Sequence, residues 1–229
     1  MSSFVDDEFG SIHVTRSLRN KSVKLSMSSN GTVRVSMPNY APLFLAKRLL
    51  ESSRESLRKA AREHPSRIIF TEGMQVGKSH SLLRTPASKL EVRTSKQLIL
   101  VSLPDHIEMQ EPQVQSAIRE VVVKILRKEA KSYLPRRLQY LAGMHGLTYE
   151  RVRFSYASTR WGSCSSSGTI SLNISLMMLP FELIDYVILH ELAHTKHMNH
   201  SQAFWSLVER LDPDYRIHRK ALKNYSSQL

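Results

Sequence analysis

The segment His190-Glu191-Leu192-Ala193-His194 constrains this chain more than any other feature of its sequence. In a helix from Val187 to Lys196, residues four positions apart lie about 40° apart around the axis and roughly 6 Å apart along it, so both imidazoles can reach one metal ion. Glu191 then lies beside the ion without having to bind it. Two neutral histidines suit Zn²⁺, and the carboxylate can take a proton from an activated water. The segment predicts a metal-dependent hydrolase.

The residues before this segment predict a helix that is anchored in the core. Apolar side chains occur at Leu183, Ile184, Val187 and Ile188, which is the spacing of a buried helical stripe. Pro180 fits the start of such a helix. Because a helix packed in the core is rigid, it would hold both histidines in a fixed geometry.

A catalytic zinc site needs a third protein ligand and keeps its fourth position for water. His197 lies on the same helical strip, where three ligands in a row close poorly around a tetrahedral ion. His200 is better placed, because Met198-Asn199 can break the helix and let the chain turn back before Ser201 caps a new helix. We predict His200 as the third ligand, with His197 as the alternative and Glu209 as the next candidate.

Several further stretches resemble a known family. They are Arg160–Cys164, Ile170–Asn173, Leu179-Pro180, Ile184–Val187, His190–His194 and Asn199–Ser201 with Phe204-Trp205. In type and order, from about Arg151 to Leu222, they look like the YgjP-like branch of the SprT-like zinc metallopeptidases. The resemblance implies a zincin-like hydrolase with one Zn²⁺ held by His190, His194 and His200, with Glu191 as general base and a peptide or protein as substrate.

The stretch from Arg153 to Asn173 predicts two strands around a small polar segment. In zincin-like folds, which the resemblance implies, a strand edge near the metal helix holds an extended substrate by backbone hydrogen bonds. We expect Thr169 to Asn173 to be that edge. The expected substrate-binding residues are Trp161, Ile170, Leu172 and Asn173.

Arg160 has two interpretations. As a catalytic residue it would neutralise developing oxyanion charge or bind a carboxylate or phosphate. Alternatively, Arg160 and Trp161 form a structural corner that supports the site. Cys164 lacks a nearby group in the sequence that would lower its thiol pKa, so a cysteine nucleophile is disfavoured. Its role as an inhibitory or oxidation-sensitive metal ligand stays open.

The alternation of apolar and polar residues predicts a β-rich first part and a helical second part. The expected strands are Ile12–Ser17, Val23–Met27, Thr32–Met37, Arg67–Thr71, Ser81–Thr85, Leu90–Thr94 and Gln97–Ser102, with a hairpin turn at Ser28–Gly31. The expected helices are Ala41–Glu63, Gln113–Lys131 and Leu134–Met144, the last starting at Pro135 and closed by Gly146.

We therefore predict an α+β fold with a boundary at Leu103-Pro104-Asp105. Residues 1–104 form a β-rich N-terminal region with one helix. Residues 105–229 form a zincin-like catalytic domain with a small antiparallel sheet.

Composition limits the cellular setting. With 229 residues, of which 41% are hydrophobic, the chain can bury a substantial core. Its single cysteine excludes an internal disulfide and fits a reducing compartment. The first residues lack the features of a signal peptide, and no apolar run is long enough to cross a membrane. We expect a soluble cytoplasmic protein.

The charge balance widens the choice of substrate. With 33 Lys and Arg against 20 Asp and Glu, the net charge of +13 attracts phosphate polymers and anionic nucleotides without specifying either. Three functions are therefore compatible with the sequence: a zinc metallopeptidase, a nucleoside triphosphate pyrophosphohydrolase, and a nucleic-acid-binding protein with a structural metal. The third is disfavoured because structural zinc sites use four protein ligands, usually including several cysteines.

The segment from Gly73 to Ser79 is similar to a phosphate-binding P-loop, but it has three residues between its glycines where that loop has four. It also lacks a frame of strand and helix. We interpret it as a β-turn.

Overall fold

The computed structural model describes residues 2–6, 8–18, 20–27, 33–57 and 68–228. The chain divides into two compact units, Met1–Arg67 and Ile68–Leu229. The mixture of helices and small sheets confirms the predicted α+β class. Within the described residues, no helix is both long enough and apolar enough to cross a membrane.

The described residues of the first unit include a four-stranded sheet and the helix that follows it. Its strands are β1 (Ser2–Asp6), β2 (Gly10–Arg16), β3 (Lys24–Met27) and β4 (Val33–Met37), and its helix is α1 (Leu43–Ser52). The sheet order is β1-β2-β4-β3, with β2 and β4 parallel and the outer pairs antiparallel. The predicted hairpin turn at residues 28–31 and the predicted end of the helix near residue 64 lie outside the described residues.

One hydrophobic cluster joins that sheet to its helix. Every second side chain of β4 is buried, as expected for a strand with one face on the core. The cluster contains residues of β2, β4 and α1: Ile12, Val14, Val33, Val35, Met37, Ala46 and Leu50.

The second unit begins with another four-stranded sheet. Its strands are β5 (Gln75–Val76), β6 (His80–Pro86), β7 (Glu91–Ser95) and β8 (Leu98–Leu103), in the order β5-β6-β8-β7. The strands predicted to begin at Ser81, Leu90 and Gln97 are thus present. The strand predicted at 67–71 is not, because residues 68–71 form no strand. Gly73 and Gly77 have φ values of +75° and +63°, which glycine adopts at little cost. The segment from Gly73 to Ser79 therefore contains two turns, with the short strand β5 between them.

A single helix, α2 (Pro112–Met144), replaces the two that the sequence predicts. Pro135 lies inside it, where a proline costs about 3 kcal/mol because it removes a backbone donor and crowds the preceding turn. Leu134 and Leu138 are fully buried on either side. Burial of these leucines offsets the cost of the proline, and the helix continues to Met144, with Gly146 beyond it at φ +63°.

The rest of the second unit carries the predicted functional residues. Its elements are β9 (Arg151–Ser155), β10 (Gly162–Cys164), β11 (Thr169–Asn173), a 3₁₀ helix (Ile174–Met178), α3 (Phe181–Ala193), α4 (Gln202–Leu211) and α5 (Tyr215–Leu222). The sheet is mixed rather than antiparallel, because β11 pairs antiparallel with β10 but parallel with β9.

The division between the units differs from the predicted boundary near Pro104. Val101 and Leu103 of β8 lie in the same hydrophobic cluster as Ile118 and Val122 of α2. Because strand and helix share one core, the segment from Ile68 onward belongs with the metal-site residues, and the division falls at Arg67.

The side chain of Gln115 should stabilise the start of α2. It is 7% exposed; its amide donates to the carbonyls of Phe70 and Met109, both at 2.8 Å, and its oxygen accepts from the Phe70 N–H at 2.9 Å. Gln115→Leu should lower the free energy of unfolding by about 2–4 kcal/mol, because buried backbone groups lose their partners. Chemical denaturation measures this. The exposed Gln113→Leu is the control, and an equal effect of both substitutions would contradict the assignment.

Candidate metal centre

Helix α3 carries the first two histidines as predicted. Pro180 precedes the helix, and Leu183, Ile184, Val187 and Ile188 are all buried. His190 lies in the last turn and His194 at the C-terminal cap, so both imidazoles belong to the same end of a core helix.

The chain then reverses direction and brings His200 back. Helix α3 ends at Ala193, earlier than the predicted break at Met198, and in the turn that follows the N–H groups of Lys196 and His197 both donate to the Ala193 carbonyl. Ser201 caps α4 as predicted, because its hydroxyl accepts from the Phe204 N–H at 3.4 Å.

The three histidines converge. His190, His194 and His200 each offer a ring nitrogen, and these atoms lie within 4.8 Å of one another. The Nε2 atoms of His190 and His200 are 3.2 Å apart. Tetrahedral zinc with bonds of about 2.0–2.1 Å separates its nitrogen ligands by roughly 3.3 Å, so this spacing fits a zinc ion.

The protonation of the histidines also suits metal binding. His194 Nδ1 lies 3.0 Å from the His197 carbonyl, which can only accept, so Nδ1 carries the proton and Nε2 keeps its lone pair. Burial lowers the pKa of His190 to about 3, with a further contribution from His194 and His200, and burial also lowers the pKa of His194. Both imidazoles are therefore neutral at pH 7.

Glu191, the residue after His190 on helix α3, carries a buried carboxyl group. It is 5% exposed, and its Oε2 has no hydrogen-bond partner among the described residues. Burial raises the pKa of Glu191 to about 8, against the opposing positive charge of Arg160. A carboxyl group with this pKa exchanges a proton readily near neutral pH.

Aromatic side chains of α4 surround the histidines. The ring of Phe204 stacks on His194 with centroids 4.5 Å apart, and Trp205 stacks on His200 at 5.5 Å. The Arg219 guanidinium lies 4.5 Å from the centre of the Trp205 ring. These contacts restrict the rotation of the imidazoles, and the sequence signal was the aromatic pair four and five residues after His200.

The prediction that residues 169–173 form the substrate-binding edge is wrong. Strand β11 is the central strand of its sheet and pairs with a neighbour on each side, so it has no free edge. Ile170 and Leu172 are fully buried and lie in the hydrophobic core. The edge beside Glu191 is instead formed by β10, whose residues are partly exposed.

Asn173 is buried, and its side chain makes hydrogen bonds only within the protein. Its amide donates to the carbonyls of Ala157 (2.6 Å) and Arg160 (2.9 Å), and its oxygen accepts from the Ser175 N–H (3.0 Å). Asn173 therefore fixes the loop that leads into β10 rather than lying open to a substrate.

Gly162 of β10 explains how closely the sheet approaches the helix. A Cβ atom added there would lie 2.6 Å from Glu191 Oε1 and 2.7 Å from its Cγ. Only a glycine leaves room for the carboxylate at this point. Gly162 is not among the site residues predicted from the sequence, although a glycine inside a predicted polar loop next to a metal helix is a recognisable signal.

The remaining predicted residues lie around this centre. Arg160 is exposed, and Trp161 is half-buried against the core. The Cys164 thiol has a raised pKa, because it is partly buried and faces the charge of Glu191, which disfavours a thiolate nucleophile. Glu209 lies 3.5 Å from Arg216 and outside the histidine cluster.

Comparison with known proteins agrees with this geometry. The family model described as YgjP-like, metallopeptidase domain matches residues 21–225. The chain belongs to the YgjP-like metallopeptidase family. The resemblance in the sequence is thereby confirmed, and the matched residues extend into both compact units.

A solved structure gives a weaker likeness. The crystal structure of the metallopeptidase zymogen of Pyrococcus abyssi abylysin is 26% identical, with a TM-score of 0.36, over 38% of this chain and 90% of that one. No curated protein matches the chain significantly.

The contact between Gly162 and Glu191 predicts a coupled pair of substitutions. Gly162→Ala should lower the free energy of unfolding by about 1–3 kcal/mol, because the new methyl group overlaps the carboxylate. In a Glu191→Ala background the same change should cost much less, since the overlapping atoms are gone. Denaturation of the four proteins of this cycle measures the coupling.

The control for this cycle is Gly143→Ala, where an added Cβ meets no atom within 4 Å. It should be neutral or slightly stabilising in both backgrounds, because alanine is the better helix former. Equal costs of Gly162→Ala with and without the Glu191 side chain would show that the close approach is absent.

Proposed function

We propose that this chain is a zinc-dependent peptidase in which His190, His194 and His200 hold the ion and Glu191 is the general base. The observation that supports this most is the convergence of three imidazole nitrogens, together with a buried carboxyl group on the residue that follows His190. A set of three histidines is typical of catalytic rather than structural zinc, because it leaves a fourth position open.

When bound, zinc supplies Lewis acidity that polarises a scissile carbonyl and makes water a stronger acid. The protein supplies the proton transfer. Glu191 takes a proton from the attacking water and passes it to the leaving amine. A cation held by the neighbouring histidines would favour the ionised form of Glu191, which counteracts the effect of burial on its pKa.

The free edge of β10 is the proposed binding site for the substrate backbone. An extended peptide can add to an edge strand through main-chain hydrogen bonds. Because Gly162 in β10 lies against Glu191, a peptide along this edge would have its backbone next to the carboxylate. We therefore propose residues 162–164, and not residues 169–173, as the edge that binds the substrate.

Arg160 is proposed to stabilise negative charge in the transition state. It lies two residues before β10, it is exposed, and its charge acts on Glu191. A guanidinium group in this position can donate to an oxyanion. Trp161 is proposed to pack behind it.

The two alternatives from the sequence receive less support. The family is one of metallopeptidases, which favours a peptide over a phosphoanhydride. The P-loop-like turn does not offer a phosphate site, since the Lys78 N–H and the Ser79 hydroxyl already donate to the Glu129 carboxylate, at 2.9 and 2.6 Å.

Substitution of the base tests the mechanism. Glu191→Gln should retain zinc but lower the rate of casein hydrolysis by about 10²–10⁴-fold, because the amide cannot accept the proton. His190→Ala should lose both zinc and activity. Zinc content by mass spectrometry and peptide release from casein measure the two effects.

Glu182→Gln is the matched control, since this exposed glutamate lies at the opposite end of the same helix. It should leave zinc and activity unchanged. Full activity of Glu191→Gln would exclude Glu191 as the base. Turnover of nucleoside triphosphates that depends on Glu191, without any cleavage of casein or DNA-bound protein, would favour the pyrophosphohydrolase instead.

A further inference from the structure

A cavity lies in the unit that contains the metal centre, and none of the three histidines lines it. Its volume is about 860 Å³, and it is bordered by β7, the turn at residues 78–79, the first residue of β6 and helix α2. Its apolar wall includes Val92, Val121, Ile125, Met177 and Phe181. This size and this lining are typical of ligand sites. We call it the β7 groove.

Strand β7 is an edge strand of its sheet. It pairs only with β8, so alternate residues direct their backbone N–H and C=O groups away from the sheet. Val92, Arg93 and Thr94 are consecutive, yet all three line the groove. Because consecutive side chains of a strand point to opposite faces, the groove must follow the edge of β7.

The rim of the groove is strongly basic. Arg93, Lys96, Lys124 and Lys128 line it and are exposed, and within the described part of the chain none of them pairs with a carboxylate. Lys124 and Lys128 are four residues apart on α2 and therefore lie on the same face of the helix.

The one carboxylate that lines the groove, that of Glu129, already accepts hydrogen bonds within the protein. Glu129 accepts from the Lys78 N–H and the Ser79 hydroxyl, so its charge is largely satisfied by the turn. Lys96 has a φ of +53°, a conformation that costs a non-glycine residue about 1–2 kcal/mol. A lysine at this position supplies a cation to the rim that the less strained glycine would not.

These features together identify a ligand by its chemistry. We infer that the β7 groove binds an extended acidic segment of a polypeptide substrate, which adds to β7 as a further strand. The backbone of the segment pairs with the edge, its carboxylates face Arg93, Lys96, Lys124 and Lys128, and an apolar side chain enters beside Ile125 and Phe181. That the segment belongs to a substrate rests on the proposed peptidase function.

The groove is also near enough to the metal centre to act on the same polypeptide. Phe181 begins α3, and His190 lies nine residues along that helix, which corresponds to about 14 Å. An extended chain covers this distance in roughly four to five residues. The groove would therefore select acidic substrates at a position separate from the scissile bond.

Binding of a fluorescent peptide of alternating glutamate and valine tests this inference. Anisotropy with the metal-free full-length chain measures its affinity without any hydrolysis. Lys124→Glu/Lys128→Glu should weaken binding by on the order of tenfold or more, because two attractive charges become repulsive. The matched control is Arg127→Glu/Lys131→Glu, which makes the same charge change at exposed positions of α2 outside the groove. It should change the affinity by less than about threefold.

Two further peptides separate strand addition from simple attraction of charge. The peptide with lysine in place of glutamate should not bind, and the acidic peptide with N-methylated backbone amides should bind at least about tenfold more weakly. Equal effects of the two double variants, or equal affinity of the N-methylated peptide, would overturn the inference. Since binding is measured without metal, this failure is distinguishable from a failure of casein hydrolysis.

Discussion

Burial of helix α3 on nearly all sides is the constraint on which the metal centre depends. Leu183, Ile184 and Leu192 are in the core, but so is the carboxyl group of Glu191. A polar group in such a position must find a partner or change its protonation state, since an isolated buried charge is costly. The raised pKa of Glu191 and the lowered pKa of His190 are both consequences of this burial. A cation between the histidines would provide the missing partner.

The close approach of β10 to helix α3 is a second consequence of this burial. A helix packed this tightly against a sheet leaves no space for a side chain at Gly162, and Asn173 fixes the preceding loop through two carbonyl groups. The free edge of the strand and the carboxylate are thus held in one rigid arrangement. The aromatic rings of Phe204 and Trp205 restrict the histidines from the other side, so the geometry does not depend on the metal alone.

Much of this centre could be predicted from the sequence because its signals are local. The positions of His190 and His194 follow from helical spacing, and the return of His200 follows from a break and a capping serine. The edge strand could not be predicted in this way. Whether residues 162–164 or 169–173 form the edge depends on strand pairing between distant segments, and a central and an edge strand have similar local patterns. The continuous helix through Pro135 could not be predicted locally either, because tertiary packing of leucines outweighs a local signal to end the helix. Nor could the division between the units, because the core that β8 shares with α2 outweighs the turn-forming sequence near Pro104.

In the proposed centre three histidines, and no other protein side chain, bind the ion, while Glu191 stays outside its coordination shell. X-ray absorption at the zinc edge, on full-length protein with one equivalent of zinc, tests this directly. We expect only nitrogen and oxygen neighbours at about 2.0–2.1 Å, with the outer-shell scattering of about three imidazole rings. A sulfur neighbour at about 2.3 Å would place Cys164 among the ligands and contradict it.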